Sequence, residues 1–425
     1  VDGEERFLKI VAFNDQQPDI YWGHMYRRDW IVRYGTHPVT GEMFTGGYDE
    51  NDLWTDNVVF PSWYDEEKKV KGLELVPEWD GTDPIFLSDW EWMFQIFQTA
   101  YADLGLTDSY CYTIPYNGYL QTGELTASFG GGASGYWFRN LGNQVEFGPV
   151  TDQFRAYLEC MYTWYQNGWL DPHFDERTND MFYMIDSTNV YQGKIGMSYG
   201  LQGMLDRHLD NGSDLLTGIC MFGCATPIND LYGPETTRYQ KPYSNYTTSI
   251  ASTEYVISVA AKDKDLPALL SMLDYFYTEE GAKLKTSGLS KEQYEQTQDP
   301  FYTAQGLVNG AYELQEDGRL LMDPIIAFDS GSLIGAVRLD MFPGLMLDSR
   351  MDMRYTPVFQ RSVDAWMQYP CYGYFVNEPV MTYLTSDETR KINNIETKIK
   401  DYMALHVPEF VKGTNNPYDD AAWDT

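Results

Sequence analysis

Apolar residues recur at helical spacing in three long segments, and the clearest of these covers residues 151–171. Thr151 or Asp152 can cap the start of this helix, and Gly168 can stop it. The apolar positions that share one face are Phe154, Tyr157, Leu158, Met161, Tyr162 and Tyr165. The pattern therefore predicts an amphipathic helix that buries this face.

The second helical segment covers residues 264–284. Asp265 is placed to cap this helix, Pro267 lies in its first turn, and Gly281 ends or kinks it. The positions predicted to point inward are Leu269, Met272, Leu273 and Phe276.

The third helical segment covers residues 385–407 and begins with a capping box formed by Thr385 and Glu388. The positions predicted to be buried are Ile392, Ile395, Ile399 and Tyr402.

Short runs typical of strands lie between the helical segments. These runs are "FLKIVAF", "QVEFG", "GKIGMSYG" and "EYVISVAA". Strands that alternate with helices indicate an α/β architecture. Long stretches rich in Gly, Asn, Asp and Tyr interrupt it at residues 37–90 and 203–250, and the chain has no internal repeat.

The composition excludes several classes of protein. A net charge of −33 argues against binding to nucleic acid or to an anionic membrane surface, because both need clustered Lys and Arg. With 43% hydrophobic and 16% aromatic residues, the chain is too apolar to be disordered. No run reaches the roughly 18 apolar residues of a membrane span. The chain starts without Met or a signal peptide, which predicts that a targeting segment was removed or that the chain belongs to a longer protein.

Motifs for metal and cofactor chemistry are missing from the sequence. It has no phosphate-binding loop, no dinucleotide-binding glycine pattern and no nucleophile elbow. The five cysteines form no zinc pattern, the five histidines are scattered singly, and the acidic loop at 49–56 lacks the glycine and closing glutamate of an EF-hand. We therefore predict no metal and no cofactor.

Asp89 and Glu91 are the carboxylate pair that most resembles the acid and nucleophile of a glycosidase. Neighbours at this spacing do not share a face of a helix. Since the chain contains 63 acidic residues, pairs of this kind also arise by chance. We predict no catalytic residue.

The aromatic residues are the most distinctive feature of the chain. Many lie in loops or short strands beside Gly, Asn, Gln and Asp, and these are Tyr21, Trp22, Trp54, Trp63, Trp79, Trp90, Trp92, Tyr116, Tyr119, Tyr136, Trp137 and Tyr199. A flat aromatic face stacks on the C–H face of a sugar ring, while amide and carboxylate groups bind its hydroxyls. We expect about four to six of these aromatics to line a site and the others to pack the core.

Four segments, in order along the chain, resemble family 1 extracellular solute-binding proteins of ABC importers. The first is "DGEERFLKIVAFNDQQPDIYWGHMYRRDW", which is similar to the family's "DG" strand that runs into a "DW" helix start. The others are "RNLGNQVEFGPVTDQFRAYLECMYTWYQNGWLDPHF", "YQGKIGMSYG" and "EYVISVAAKDKDLPALLSMLDYFYTEEGAKL". Together the segments span nearly the whole chain.

The resemblance implies a two-lobed α/β fold of the periplasmic-binding-protein type (type II), with hinge-crossing strands and a central cleft. It assigns residues to lobes as follows: 1–20 to the remainder of the first lobe, 21–255 to the second, 256–335 to the first, and 336–425, with the C-terminal helices, to the second. The second hinge crossing is expected at the strand 254–260. Family members begin with a lipoprotein signal and a βαβα block that this chain lacks, and they continue beyond its end, so the resemblance implies a fragment or a trimmed chain.

The function implied by the resemblance is a non-enzymatic receptor that captures an oligosaccharide and delivers it to ABC permease subunits. The receptor would be a bacterial, extracellular monomer, anchored as a lipoprotein in the full-length protein. The expected ligand-binding residues are Asp19, Tyr21, Trp22, Tyr116, Tyr119, Trp137, Tyr199 and Gln202. A glycan-active hydrolase and a binding protein for a peptide or another non-sugar solute remain as alternatives.

Overall fold

The computed structural model describes most of the 425 residues. The described residues are 10–14, 22–48, 54–113, 125–130, 138–141, 144–176, 194–201, 221–234, 250–261, 263–316, 320–327, 337, 343–346, 357–366, 375–376 and 384–424. The chain divides into two compact units. Unit 1 comprises Val1–Asp19 and Asn245–Thr356, and unit 2 comprises Ile20–Ser244 and Pro357–Thr425.

The strands, in chain order, are β1 (Ile10–Asn14), β2 (Trp22–Arg27), β3 (Gly46–Tyr48), β4 (Trp54–Asp56), β5 (Tyr110–Tyr112), β6 (Phe138–Leu141), β7 (Gln144–Phe147), β8 (Ile195–Leu201), β9 (Met221–Cys224), β10 (Ile250–Tyr255), β11 (Tyr312–Leu314), β12 (Leu320–Met322), β13 (Gly344–Met346) and β14 (Phe375–Val376).

The α-helices, in chain order, are α1 (Arg28–Tyr34), α2 (Glu66–Leu75), α3 (Leu87–Leu104), α4 (Asp152–Gln166), α5 (Leu266–Tyr275), α6 (Glu279–Ser287), α7 (Lys291–Thr297), α8 (Pro300–Gln305), α9 (Pro324–Ala327), α10 (Pro357–Trp366), α11 (Ser386–Lys412) and α12 (Asp420–Trp423). Among these helices, none has the length and hydropathy that a membrane-spanning helix needs.

Unit 2 is built around a four-stranded sheet in the order β5-β8-β2-β9. The central strand β2 pairs antiparallel with both β8 and β9, while β5 runs parallel to β8. The helices α3 and α4 bring large apolar side chains into the same core as this sheet, which includes the fully buried rings of Trp90, Phe94 and Trp164. Residues 23–27 of β2 and 195–200 of β8 are all buried, so both faces of this mixed sheet are covered, as expected for an α/β fold.

Unit 1 contains a three-stranded sheet in the order β10-β1-β13 and a β11-β12 hairpin. β1 pairs antiparallel with β10 and parallel with β13. The buried core cluster of unit 1 consists of Tyr294, Tyr302, Leu307, Ala311, Tyr312, Leu320, Met322, Ile326 and Val337.

The helix predicted at 151–171 is α4. The Thr151 hydroxyl accepts a hydrogen bond from the Phe154 N–H, and Gly168 follows the helix with a φ of 68°. The side chains of Phe154, Tyr157, Leu158 and Met161 are buried, so the predicted apolar face is confirmed at these positions.

The segment 264–284 forms two helices, α5 and α6, rather than one. Asp265 caps α5 by accepting from the Ala268 N–H, as predicted. Gly281 does not end this helix but lies inside α6, where a Cβ would collide with the Tyr275 carbonyl at the end of α5. The prediction that Met272 points inward is wrong, because its side chain is 45% exposed.

The capping box at the start of α11 is present, since the Thr385 and Glu388 side chains each bond the other residue's backbone N–H. The predicted burial is wrong for Ile392, Ile395 and Tyr402, whose side chains are 36%, 59% and 55% exposed. The helix packs against α4, and its buried residues Met403, Val407, Pro408 and Val411 all lie in its second half. Residues 384–395 are exposed throughout, because no described element covers them.

The boundaries of the two units differ in part from the expected lobes. The first boundary lies between Asp19 and Ile20, one residue before the expected position. The later two lie at 244/245 and 356/357, whereas the lobes were expected to meet at 255/256 and 335/336. The strand expected at 254–260 is instead β10, which ends at Tyr255 where it pairs with Ile10. Pairing of β13 with β1 keeps residues 344–346 in unit 1. The assignment of these units to the lobes of a hinged receptor stays a prediction.

Candidate functional site

Two segments that sequence analysis assigned to the ligand site meet at one end of the unit 2 sheet. In the antiparallel β2–β8 pair, Trp22 lies opposite Leu201 and His24 lies opposite Tyr199. These partners are far apart along the chain, so only the pairing register brings them together. Each strand ends next to a further predicted site residue, Tyr21 before β2 and Gln202 after β8.

Tyr199 is the one predicted site residue whose side chain the structure describes. It is 2% exposed, and its ring meets His24 edge-on with centroids 5.0 Å apart. His24 also lies 4.9 Å from the Trp90 ring, and its Nε2 is 3.1 Å from the Tyr112 hydroxyl. Tyr199 therefore belongs to a buried aromatic cluster next to the sheet end.

The side chains of the other seven predicted site residues lie outside what the structure describes. For Trp22, the structure describes the backbone only. Those outside the described residues are Asp19, Tyr21, Tyr116, Tyr119, Trp137 and Gln202. The proposed set of ligand contacts therefore stays a prediction.

Helix α10 lies directly over β2 and β9, a contact that the sequence did not predict. The Trp366 indole N–H donates to the His24 carbonyl at 2.7 Å, and the Ser362 hydroxyl accepts from the Gly223 N–H at 2.8 Å. A Cβ on Gly23 would collide with the Trp366 ring. Glycine inside a strand is the signal that could have predicted this close approach.

The far end of β2 is anchored by a buried ion pair. The Arg28 guanidinium donates to both Asp56 oxygens, at 2.9 and 2.7 Å, and also to the Tyr26 hydroxyl and the Thr82 carbonyl. Burial alone would raise the pKa of Asp56, but the hydrogen bonds and charge of Arg28 outweigh it and lower that pKa. The pair fixes the junction between β2 and α1, and so the direction of the strand that carries Trp22.

Asp89 and Glu91 both have structural roles. The Asp89 carboxylate accepts from the Ser62 hydroxyl and N–H and from the Phe86 N–H, which caps the start of α3. Burial raises the pKa of Asp89 to about 6, against the lowering effect of these donors. Glu91 accepts from the Trp164 indole at 2.9 Å and from the Tyr232 hydroxyl at 2.6 Å. The two carboxylates therefore have separate packing partners rather than a shared reaction site.

Three of the five cysteines lie among the described residues. Cys111, Cys160 and Cys224 are buried free thiols, and burial raises the pKa of each. In the part of the chain that the structure describes, no group of three or more His, Cys, Asp and Glu side chains could hold a metal ion.

Comparison with known proteins relates this fold to solved structures. No protein-family model and no curated protein matches the sequence. The alginate-binding protein AlgQ2 matches with a TM-score of 0.54 at 13% identity, over 98% of this chain and 69% of that one. The S. pneumoniae ABC-transporter substrate-binding protein FusA, solved with kestose, matches with 0.54 at 15% identity, over 98% and 71%.

A third match is an ABC-transporter-associated solute-binding protein from Bifidobacterium longum infantis, described as binding HMO. Its TM-score is 0.56 at 12% identity, over 97% of this chain and 71% of that one. The chain has the fold of solute-binding proteins. The predicted resemblance and the α/β class are confirmed at the level of the fold. The three matched proteins are described as binding proteins rather than as enzymes.

Proposed function

We propose that this chain is the solute-binding receptor of an ABC importer, which captures an oligosaccharide and delivers it to the permease subunits. The observation that carries the proposal is the β2–β8 register, which joins the strands of Trp22 and Tyr199 at one end of a sheet. The fold supports it, because solved proteins with this fold are described as binding alginate, kestose or HMO. In the full-length protein the receptor would act outside the cell, held by a lipid anchor.

The proposed recognition combines stacking and hydrogen bonding. Aromatic rings at Tyr21 and Trp22 would stack on sugar faces, and Asp19 and Gln202 would bind hydroxyl groups. Tyr199, which is 2% exposed, belongs to the proposed set through its place on the strand that pairs with β2. Tyr116, Tyr119 and Trp137 complete the proposed set. This chemistry needs no cofactor and breaks no bond.

The charge of the chain favours a neutral sugar. At −33, the protein repels polyanions at long range and lowers their association rate. An anionic uronate oligomer would need clustered cations at the site, whereas a neutral oligosaccharide needs only stacking faces and hydroxyl partners. We therefore propose a neutral oligosaccharide as the ligand class.

A thermal-shift screen followed by calorimetry tests the proposal. The probes are kestose, neutral milk-type oligosaccharides, alginate oligomers and a short peptide mixture. A neutral sugar should raise the Tm, because it binds only the native state, and should be recovered uncleaved. Cleaved sugar would support the hydrolase instead, and a shift with peptides alone would support a non-sugar receptor.

Two variants then test the predicted contacts. Trp22→Ala should weaken sugar binding about thirtyfold, which corresponds to roughly 2 kcal/mol for a stacked aromatic, and Tyr199→Ala should weaken it as well. Tyr64→Ala removes an exposed aromatic of the same unit and should leave affinity unchanged. Because Tyr199 is buried, the Tm of each variant is measured together with its affinity, which separates loss of a ligand contact from loss of the fold. Native affinity in well-folded Trp22→Ala and Tyr199→Ala proteins would refute the site.

A further inference from the structure

The long helix α11 carries an apolar stripe that the described elements cover only in part, since Ile399 packs against the unit 2 core. Ile392, Ile395, Ile399 and Tyr402 follow one another at spacings of three and four residues, as at the a and d positions of a coiled coil. Ile395 and Tyr402 are 59% and 55% exposed, although Ile and Tyr at this spacing usually face a partner helix. The stripe from Ile392 to Tyr402 is about 15 Å long.

Two lysines line one edge of the stripe. Lys391 and Lys398 each precede a stripe isoleucine by one residue and lie two helical turns apart, at the g position of the same pattern. Both side chains are exposed, and among the ion pairs of the described residues none involves either lysine. By contrast, Arg390 pairs with Asp387 and Lys400 pairs with Glu396.

The stripe continues into a groove within unit 2. The groove has a volume of about 680 Å³, and its walls include Ile399, Tyr402 and His406 of α11, Phe147 and Val150 before α4, and Trp423 of α12. Val150 is 70% exposed, so an apolar side chain from outside α11 is also accessible at this groove. The stripe and the groove together form one surface, which we name the α11 groove.

We propose that the α11 groove binds an amphipathic α-helix of a partner polypeptide that has apolar residues at a and d spacing and carboxylates along the edge facing Lys391 and Lys398. The shape follows from a straight apolar stripe that ends in an apolar groove, which is the geometry of helix-in-groove recognition. The charge follows from the two exposed lysines on one edge, since carboxylates at the facing e and g positions complete such a pattern.

A second copy of this chain fits the surface less well. Each copy carries a charge of −33, so two whole copies repel each other over their facing surfaces, whereas a short helix presents only its local charges. At about 0.15 M salt the screening length is roughly 8 Å, so charges far from the groove have little effect on a short helix. The two lysines at the groove edge therefore determine which helix binds. Self-association is therefore an outcome of the test and not part of the proposal.

Two synthetic three-heptad peptides test the proposal by fluorescence anisotropy in 0.15 M salt. Both have Leu at a and d, but one has Glu and the other has Lys at the edge positions. The Glu peptide should bind more tightly than the Lys peptide. Ile395→Ser should abolish this binding without lowering the Tm, because the side chain is exposed.

A charge swap tests the role of the lysine edge. Lys391→Glu with Lys398→Glu should weaken binding of the Glu peptide by about tenfold and strengthen binding of the Lys peptide. The control is Arg390→Glu, a charge reversal at a 72% exposed position on the opposite face of α11, which should change neither affinity.

Three results would overturn the proposal. The first is no binding of either peptide to the folded wild-type protein. The second is an affinity that the lysine swap leaves unchanged. The third is a concentration-dependent dimer in sedimentation experiments that Ile395→Ser abolishes, because the α11 groove would then serve a second copy.

Discussion

The two units of the chain differ in the kind of core that they build. Unit 2 contains all twelve tryptophans of the sequence, and three of them, Trp30, Trp90 and Trp164, are among its largest fully buried side chains. The described core cluster of unit 1 contains no tryptophan or phenylalanine, and its helix α5 has no buried residue. An indole ring buries more apolar surface than the tyrosine and aliphatic side chains of the unit 1 cluster, so we expect unit 2 to be the more stable unit.

The difference also provides a measurement. Because every tryptophan lies in unit 2, tryptophan fluorescence follows the unfolding of that unit alone. Circular dichroism follows both units. A separation of the two signals in a urea titration would reveal two transitions with different midpoints.

The largest expected effect is for Trp164→Ala in the core of unit 2. The ring is fully buried, meets Phe94 edge-on at 4.8 Å, and donates its indole N–H to Glu91. Deleting it should lower the free energy of unfolding by about 3–5 kcal/mol. Urea unfolding followed by fluorescence measures this change, with Trp423→Ala, a half-buried ring, as the smaller control. Equal losses for the two variants would contradict the ranking.

A somewhat smaller effect is expected for Arg28→Met. This change leaves Asp56 buried without its partner and should cost about 3 kcal/mol. The double variant Arg28→Met with Asp56→Leu removes both charges and should recover part of that loss. The fluorescence transition of unit 2 should carry the whole effect. A double variant that is as unstable as Arg28→Met would show that the arginine acts through packing.

The pH dependence of Asp89 is expected to be smaller still. Its folded pKa of about 6 lies above the unfolded value of about 3.9, so its contribution to stability is full below about pH 4 and is lost as the pH rises through about 6. The loss is at most about 2–3 kcal/mol. Asp89→Asn removes this titration, so wild type should lose stability relative to the variant between pH 4.5 and 7.5. A constant difference would mean that the donors from Ser62 and Phe86 offset burial.

The smallest effect is expected for Met272→Ser on α5 of unit 1. The side chain is 45% exposed, so the change in the free energy of unfolding should stay within about 0.5 kcal/mol. Phe276→Ala, at a position 8% exposed in the same unit, should cost several times more. Circular dichroism melting compares the two variants. If Met272→Ser were equally damaging, the apolar face of α5 would be covered in solution.

Local features of the fold were predictable from neighbouring residues. Thr151, Asp265 and Thr385 all cap helices at the predicted places, because a cap depends on a side chain and an N–H two or three residues away. The break between α5 and α6 was not predicted. It depends on the close approach of the two helices at Gly281. The apolar periodicity of the sequence gives no information about that approach.

The candidate site was only partly predictable. The sequence, through its family resemblance, suggested Trp22 and Tyr199 separately, but their placement on paired strands requires the β2–β8 register. The cover that α10 forms over β2 was missed, because Trp366 and Gly23 are more than 300 residues apart and only their packing relates them.

The amino-acid sequence by itself determined the α/β class, the helix caps and the apolar periodicity, since these arise from interactions within a few residues. Only the tertiary structure decided which apolar faces are buried. α4 and the stripe of α11 have similar amphipathic patterns, yet the α4 face is in the core while Ile395 and Tyr402 are exposed. Burial depends on a second surface that arrives from a distant part of the chain, and periodicity along one helix contains no information about that partner.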